Sequence, residues 1–402
     1  MQSSSAFEPT LAAAHQRLAA VRPADYARTR NHLDGAVTGL SPYITHGLLS
    51  LREVLQAVLA RGPLPLQHRL VAELGWREWF RHAWAHRGDG ILEPWHPGPL
   101  PESAYTREMP ADVAAGCTGV PAIDRAVAQL HAIGHLHNHA RLWLASYLVH
   151  GRKLHWRTGA DWLLGRLIDG DLASNHLSWQ WVAGTASAKP YLFNAENVAR
   201  FAPAAWHSPG TPLDTSYAAL EAHARAPRAW PAGPGVGAGG IQDVVDGAHP
   251  PPTSADPPAW LGATAPDTTA VACREVWLVH PFHLADLPPD LPPDTVVIAV
   301  LIADWHQRWP WVAARWAFVG RRLQALTPRC WHADADTLAR ALAGARRVRT
   351  IGNPHLDPWL RRWAEVAPPP MLFPPVARPC GSFSQWWTRA TRGLRWAEEL
   401  LA

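Results

Sequence analysis

A chain of 402 residues is long for one compact core and suits two domains of the usual size, roughly 100–200 residues each. Its 48% apolar and 17% charged content belongs to the globular class, and no run of about 18 uncharged apolar residues is present, which excludes a helical membrane span. The formal net charge of +4 is compatible with a polyanionic partner without demanding one. The first twenty residues lack a basic start followed by an apolar stretch, so no secretory signal is read and cytoplasmic residence is expected. In residues 9–21, Leu11, Ala14, Leu18 and Val21 recur at helical spacing before Arg22-Pro23 ends the pattern. Further helical patterns occupy about 48–61, 66–86, 122–133, 139–150 and 159–168, and Arg141–Val149 is apolar nearly all round, as in a helix buried inside a helical domain.

From about 206 to 270, Pro, Ala and Gly dominate, and the stretch reads as a linker. It contains Gly235-Val-Gly237-Ala-Gly-Gly240, formally a dinucleotide motif. That motif needs a preceding strand, and Pro231 and Pro234 precede it, so it is read as a false match. Beyond it, Val276–Val279, Val296–Ile302 and 347–351 look like short buried strands, alternating with helical patterns at 311–326, 335–345 and 356–365. This alternation predicts an α/β domain with a parallel sheet. Ser382 and Gln385 form a capping-box pattern opening a last helix towards Leu401. The expected fold is therefore a helical domain, 1–205, a linker, 206–270, and a smaller Rossmann-like α/β domain, 271–402.

Three clusters carry candidate chemistry. Asp169-Gly-Asp171 with Asn175, Trp179 and Trp181 places two carboxylates at a tight turn. A calcium loop is disfavoured because Ala173 and Ser174 stand where a ligand and a Gly are required. His135, His137 and His139 alternate like metal ligands, but imidazoles two apart on a helix point away from one another. Arg141 is instead a candidate partner for Asp169 in bidentate geometry. Thr38-Gly-Leu40-Ser41-Pro-Tyr43 puts hydroxyls before a helix, where either phosphate binding or a plain N-cap fits. Four scattered cysteines, Cys117, Cys273, Cys330 and Cys380, indicate neither a disulfide framework nor a zinc site, and no metal is expected. With 23 tryptophans, any single one is a core filler unless its position says otherwise.

Taken together, in order over about 180 residues, TGLSPYITHGLLSLREV, ELGWREWFRH, GCTGVPAIDRAVAQL, HLHNHARLW and DWLLGRLIDGDLASNHLSWQWVAGTASAKPYLFN resemble the FAD-binding domain of DNA photolyases and cryptochromes. The resemblance implies FAD, with Tyr26, Thr38, Leu40, Ser41 and Arg77 at its diphosphate and adenine and Asn138, Arg141, Asp169, Asp171 and Asn175 around its ring system. It also implies a relay of oxidisable rings, Trp179 nearest the flavin and Trp156 next, with Trp84, Trp95 or Tyr105 open as the outer member. Arg30, Glu73, Trp76, Asn138 and Trp181 match the contacts to a cyclobutane pyrimidine dimer, where flat rings and polar groups suit a flipped-out lesion. Asn138 and Leu142 replace the two histidines of the (6-4) subtype, which is disfavoured.

Departures weigh on the other side. His135 replaces a Trp, His139 a basic residue, and the segment Lys189–Asn194 is short, so fewer phosphate contacts remain. The α/β segment also comes last rather than first, which suggests either a permuted antenna-like domain, with the second chromophore unknown, or an unrelated nucleotide-binding-like domain appended to a flavin domain. Two functions follow from the resemblance: a blue-light-driven lyase splitting pyrimidine dimers in DNA, and a cryptochrome-like sensor that signals to a protein partner.

Overall fold

Local signals set the helix boundaries. In this computed structural model, which describes residues 6–233 and 251–402, Thr10 accepts the N–H of Ala13 and opens the helix Leu11–Ala20. Ser50 and Glu53 close a complete capping box on Leu51–Leu59. Pro121 stands in the first turn of Pro121–Ile133, and Gly134, at φ 63°, ends it in the left-handed region that glycine enters without steric cost. The motif Gly235–Gly240 lies outside the described residues. Among the described residues no helix is long and apolar enough to cross a membrane.

The contacts divide the chain into two compact units: residues 1–23, 38–79 and 252–402, and residues 24–37 with 80–251. Both units are assembled from separated stretches of sequence.

The second unit is helical. Its core joins the helices Pro121–Ile133, Asn138–Ser146, Trp156–Arg166 and Leu172–Ala183 through Val127, Trp143, Leu148, Leu163, Trp179 and Val182, all buried. The helix expected over 139–150 is α-helical to Ser146 and then widens to a π turn at Tyr147–Gly151, a form frequent at functional sites. Part of the expected linker is built into this unit. Tyr217–Ala224 is a helix whose final carbonyls, on His223 and Ala224, accept from the Lys153 ammonium, and Trp230 packs flat over Gly151. Proline and glycine content marked the stretch as a connector; its few aromatic and aliphatic residues decide that it packs.

The first unit contains a two-stranded antiparallel pair, β1 (Thr253–Ser254) with β4 (Trp311–Val312), and a five-stranded sheet. Its strands are β2 (Glu275–Val279), β3 (Val296–Ile302), β5 (Cys330–Ala333), β6 (Arg347–Ile351) and β7 (Glu365–Ala367), in the order β5-β3-β2-β6-β7, all parallel. The register sets Val276 against Val296 on one side and Val348 on the other. The alternating α/β domain expected from the strand runs is thus present. The helical pattern at 356–365 yields only Asp357–Leu360 before the chain enters β7. The last helix, Phe383–Ala390, stops well short of Leu401. Gln385 gives its side chain to the Gly381 N–H rather than back to Ser382, and Gly393 turns the chain at φ 84°.

Candidate functional site

The turn at Asp169 and the helix starts around it build one cavity in the helical unit. Gly170 donates to Leu167 and closes the turn, and Asp171 then caps Leu172–Ala183 by accepting the N–H of Ser174 at 2.9 Å. His137 caps the neighbouring helix Asn138–Ser146, its Nδ1 accepting the N–H of His139, which accounts for the middle member of the histidine cluster. Among the described residues no group of three metal-capable side chains converges.

Asp169 is 2% exposed and is held by Arg141. The guanidinium does so with one nitrogen, Nη2, at 2.9 and 2.8 Å from the two carboxylate oxygens, while its Nε donates to the Leu136 carbonyl. The pairing expected from the sequence is present, but as a single-nitrogen fork, because Nε is committed to the backbone. His135 adds its Nε2 at 3.8 Å from Asp169.

These groups face a cavity of about 140 Å³ lined by Asn138, Arg141, Asp169, Asp171, Asn175 and Trp179, together with the apolar Phe80, Leu163, Leu167 and Val182. The volume holds about ten waters, the scale of a fused ring system rather than of an ion. A lining that mixes apolar side chains with amide, carboxylate and guanidinium groups fits a flavin, which has a dimethylbenzene end and a hydrogen-bonding pyrimidine edge. Asn175 commits its Nδ2 to the Ala160 carbonyl at 2.8 Å, leaving the amide oxygen as acceptor.

Trp179 reaches this wall because residue 159 is glycine. A Cβ there would lie 2.4 Å from the indole. Gly159 was missed by the sequence reading, and its signal was a lone Gly inside a helical pattern. Phe80, Ser174 and Ser178 also line the cavity; they lie inside the family-like segments without being candidates of their own. Trp156, 4% exposed, shares the core with Trp179 and lies 6.4 Å, edge-on, from fully buried His176, whose Nε2 is 2.7 Å from Asp161. On the other side the rings of Trp156 and His155 lie 5.9 Å apart, and His155 is 6.5 Å from half-buried Tyr105. Burial raises the Tyr105 phenol above its ordinary pKa.

The remaining expected residues are placed as follows. Trp181 is 43% exposed and tilts against Tyr191 at 5.3 Å, outside the cavity lining. Tyr26 lies on the helix Pro23–Thr29, and Arg30 beyond it donates to Asn31. Thr38, Leu40, Ser41, Glu73, Trp76 and Arg77 belong to the other unit. There Thr38 accepts the N–H of Leu40, Ser41 opens a five-residue helix, and Arg77 donates to Thr45 at 3.2 Å. Glu73 and Trp76 share the helix Arg69–Arg87, with the Phe383 ring lying on Trp76.

Comparison with known proteins finds similarity over part of the chain. Residues 70–205 match the family described as the FAD-binding domain of DNA photolyase. The chain is 36% identical over 165 residues to a deoxyribodipyrimidine photo-lyase of Streptomyces griseus, covering 41% of this chain and 36% of that enzyme. It is 32% identical over 169 residues to a cryptochrome DASH of Idiomarina loihiensis, covering 40% and 38% respectively. A solved Synechocystis cryptochrome is 27% identical, with a TM-score of 0.43 over 50% of this chain and 44% of that one. The chain thus spans under two fifths of the length of the curated relatives it matches.

Proposed function

We infer, from a chain whose residues 70–205 belong to the FAD-binding domain family of the DNA photolyases and cryptochromes, that this protein is a blue-light flavoprotein that splits cyclobutane pyrimidine dimers in DNA. The observation that carries the reading is the cavity in which Asn138, Arg141, Asp169, Asp171, Asn175 and Trp179 meet. A reduced FAD held by these residues would supply the absorption of blue light and the single electron that ring opening requires and that is regained afterwards.

The chain supplies binding, electrostatics and a path for electrons. Arg141, fixed by Asp169, keeps a positive charge at the wall, where it stabilises negative charge in a bound ring more than water would. Asp171 and Asn175 add acceptors. Trp179 is the oxidisable ring on the wall, and Trp156, in the same buried core, is the next member of the proposed relay. The contacts from Trp156 through His155 favour Tyr105 as the outer donor. Roles for Tyr26, Thr38, Leu40, Ser41 and Arg77 at the diphosphate, and for Arg30, Glu73, Trp76 and Trp181 at the lesion, remain proposals carried by the motifs.

The test is illumination of the reduced, flavin-loaded protein with an oligonucleotide bearing one thymine dimer, followed by chromatography for restored thymines. Light-dependent repair weakened by Glu73→Ala and Trp181→Ala is the expected result. A Trp179→Phe variant keeps the flavin but should photoreduce far more slowly with an external reductant; equal rates would remove Trp179 from the path. Absence of repair on both single- and double-stranded DNA favours the second reading, a blue-light sensor acting on a protein partner. One observation already points that way: a side chain of this chain covers Trp76, one of the residues matched to lesion contacts.

A further inference from the structure

The helix Arg69–Arg87 carries Trp76 between two fixed points of contact with the C-terminal segment. At Gly75, Trp387 lies so close that a Cβ would sit 2.5 Å from its ring, and Phe373 is next to it. At Glu78, 2% exposed, the two carboxylate oxygens accept the N–H groups of Leu372 at 2.6 Å and Phe373 at 3.0 Å. A buried carboxylate satisfied by backbone donors is costly to open, so Leu372 and Phe373 are clipped to this helix. Trp386 and Phe373, both 3% exposed, complete the anchor.

Phe383 differs from these neighbours. It is the first residue of its helix, directly after the N-cap Ser382, and it is only half-buried. Its ring lies on Trp76 with centroids 4.0 Å apart and an interplanar angle of 7°. Parallel stacking at this distance is the contact a nucleobase makes on an indole. The Phe383 ring also touches Trp386 at 6.0 Å and Trp387 at 5.4 Å, but the Glu78 clip on Leu372 and Phe373 does not involve it, so the segment keeps a fixed point when that ring alone turns away. The charge nearby suits a polyanion: from Arg378 to Arg395 the segment holds Arg389 and Arg392 as well and no acidic residue.

We propose that Phe383 is a gate residue: it occupies the base-stacking face of Trp76, and a nucleobase of bound DNA reaches that face only by displacing the Phe383 ring. The proposal rests on the lyase reading for the identity of the partner. Phe383 thereby sets which DNA is accepted, since the displacement cost is met by an unstacked base and not by one held in an intact duplex.

The experiment compares full-length, flavin-loaded parent, Phe383→Leu, Trp76→Ala and the double variant for binding of a single-stranded oligonucleotide with one thymine dimer. Leucine keeps apolar volume at the helix start while removing the ring. In Phe383→Leu the affinity should rise about tenfold, the factor worth one base–aromatic stack. The gain should vanish when Trp76 is also replaced. In protein labelled with 5-fluorotryptophan, the Trp76 fluorine signal, assigned by its loss in Trp76→Ala, should shift in Phe383→Leu and shift in the parent when the oligonucleotide is added. An unchanged or weaker affinity in Phe383→Leu, a gain that survives loss of Trp76, or no binding by any of the four overturns the gate. Repair by the parent with no gain in Phe383→Leu would discard the gate and keep the lyase. A Trp76-dependent gain without repair under light would keep the gate and discard the lyase.

Discussion

In the helical unit the strongest polar groups surround space; at the sheet of the other unit they fill it. Arg141 and Asp169 satisfy each other and still face a cavity of about 140 Å³. The comparable place in a parallel sheet is the crevice at the C-terminal strand ends where the winding reverses, here between β2 and β6. That crevice is closed by the chain itself. His280 donates to the Ile351 carbonyl at 2.8 Å, Asn353 donates to the Phe282 carbonyl, and the Phe282 ring stacks on His355 at 4.0 Å and 7°. The His46 ring lies against the same Phe282 at 5.8 Å. The contrast teaches that a fold able to hold a nucleotide-like ligand need not keep room for one. The proposed light chemistry uses the cavity of the helical unit.

Acid should produce the largest effect on both units. Burial pushes His150 in the helical unit and His280 in the sheet unit down to about 4. Each folded-state value lies below the ordinary one near 6.5, so the stabilisation is complete above that pH and is lost as pH falls from about 6.5 to about 4. For imidazoles this buried, the loss is up to ~3 kcal/mol each, or up to ~6 kcal/mol for the two together. His280 already uses Nδ1 to accept the Phe282 N–H, a bond that protonation breaks. Denaturant midpoints measured across this window should fall. A flat profile would mean that the two imidazoles gain access to water.

Next in size, Asp169→Ala leaves the Arg141 charge facing the cavity without its carboxylate. A cost of about 3–5 kcal/mol and loss of flavin are expected, read by unfolding and by flavin absorbance. The counterpart in the sheet is Phe282→Ala, a large-to-small change at a residue 2% exposed, with a cost of about 3 kcal/mol and flavin retained. Flavin loss in both variants would erase the distinction between the two regions. The smallest effect is expected from Gly159→Ala. Its Cβ overlaps the Trp179 ring, so about 1–3 kcal/mol is lost, and displacement of that indole should slow photoreduction out of proportion to the destabilisation. Normal photoreduction with reduced stability would place Trp179 in a packing role alone.

Much of this was legible in the residues. The apolar runs at 276–279 and 296–302 are too short and too β-branched for helices, so they announced a parallel sheet, and the Asp169–Asp171 turn announced itself by the Gly between two carboxylates. Arg141 was matched to Asp169 because a buried guanidinium needs an anion. These are local statements, decided by spacing, capping and charge.

Tertiary packing decided the rest. Which rings flank Trp156, that residues 217–230 pack on the helical core, and that Gly159 exists to admit Trp179 depend on neighbours far apart in sequence, for which no local period leaves a trace. The stacking of Phe383 on Trp76 joins positions some three hundred residues apart. Sequence could assign Trp76 a flat-ring contact from its residue type and motif. Only the folded chain could show which ring occupies that face, since an indole takes any flat partner and packing geometry selects among them.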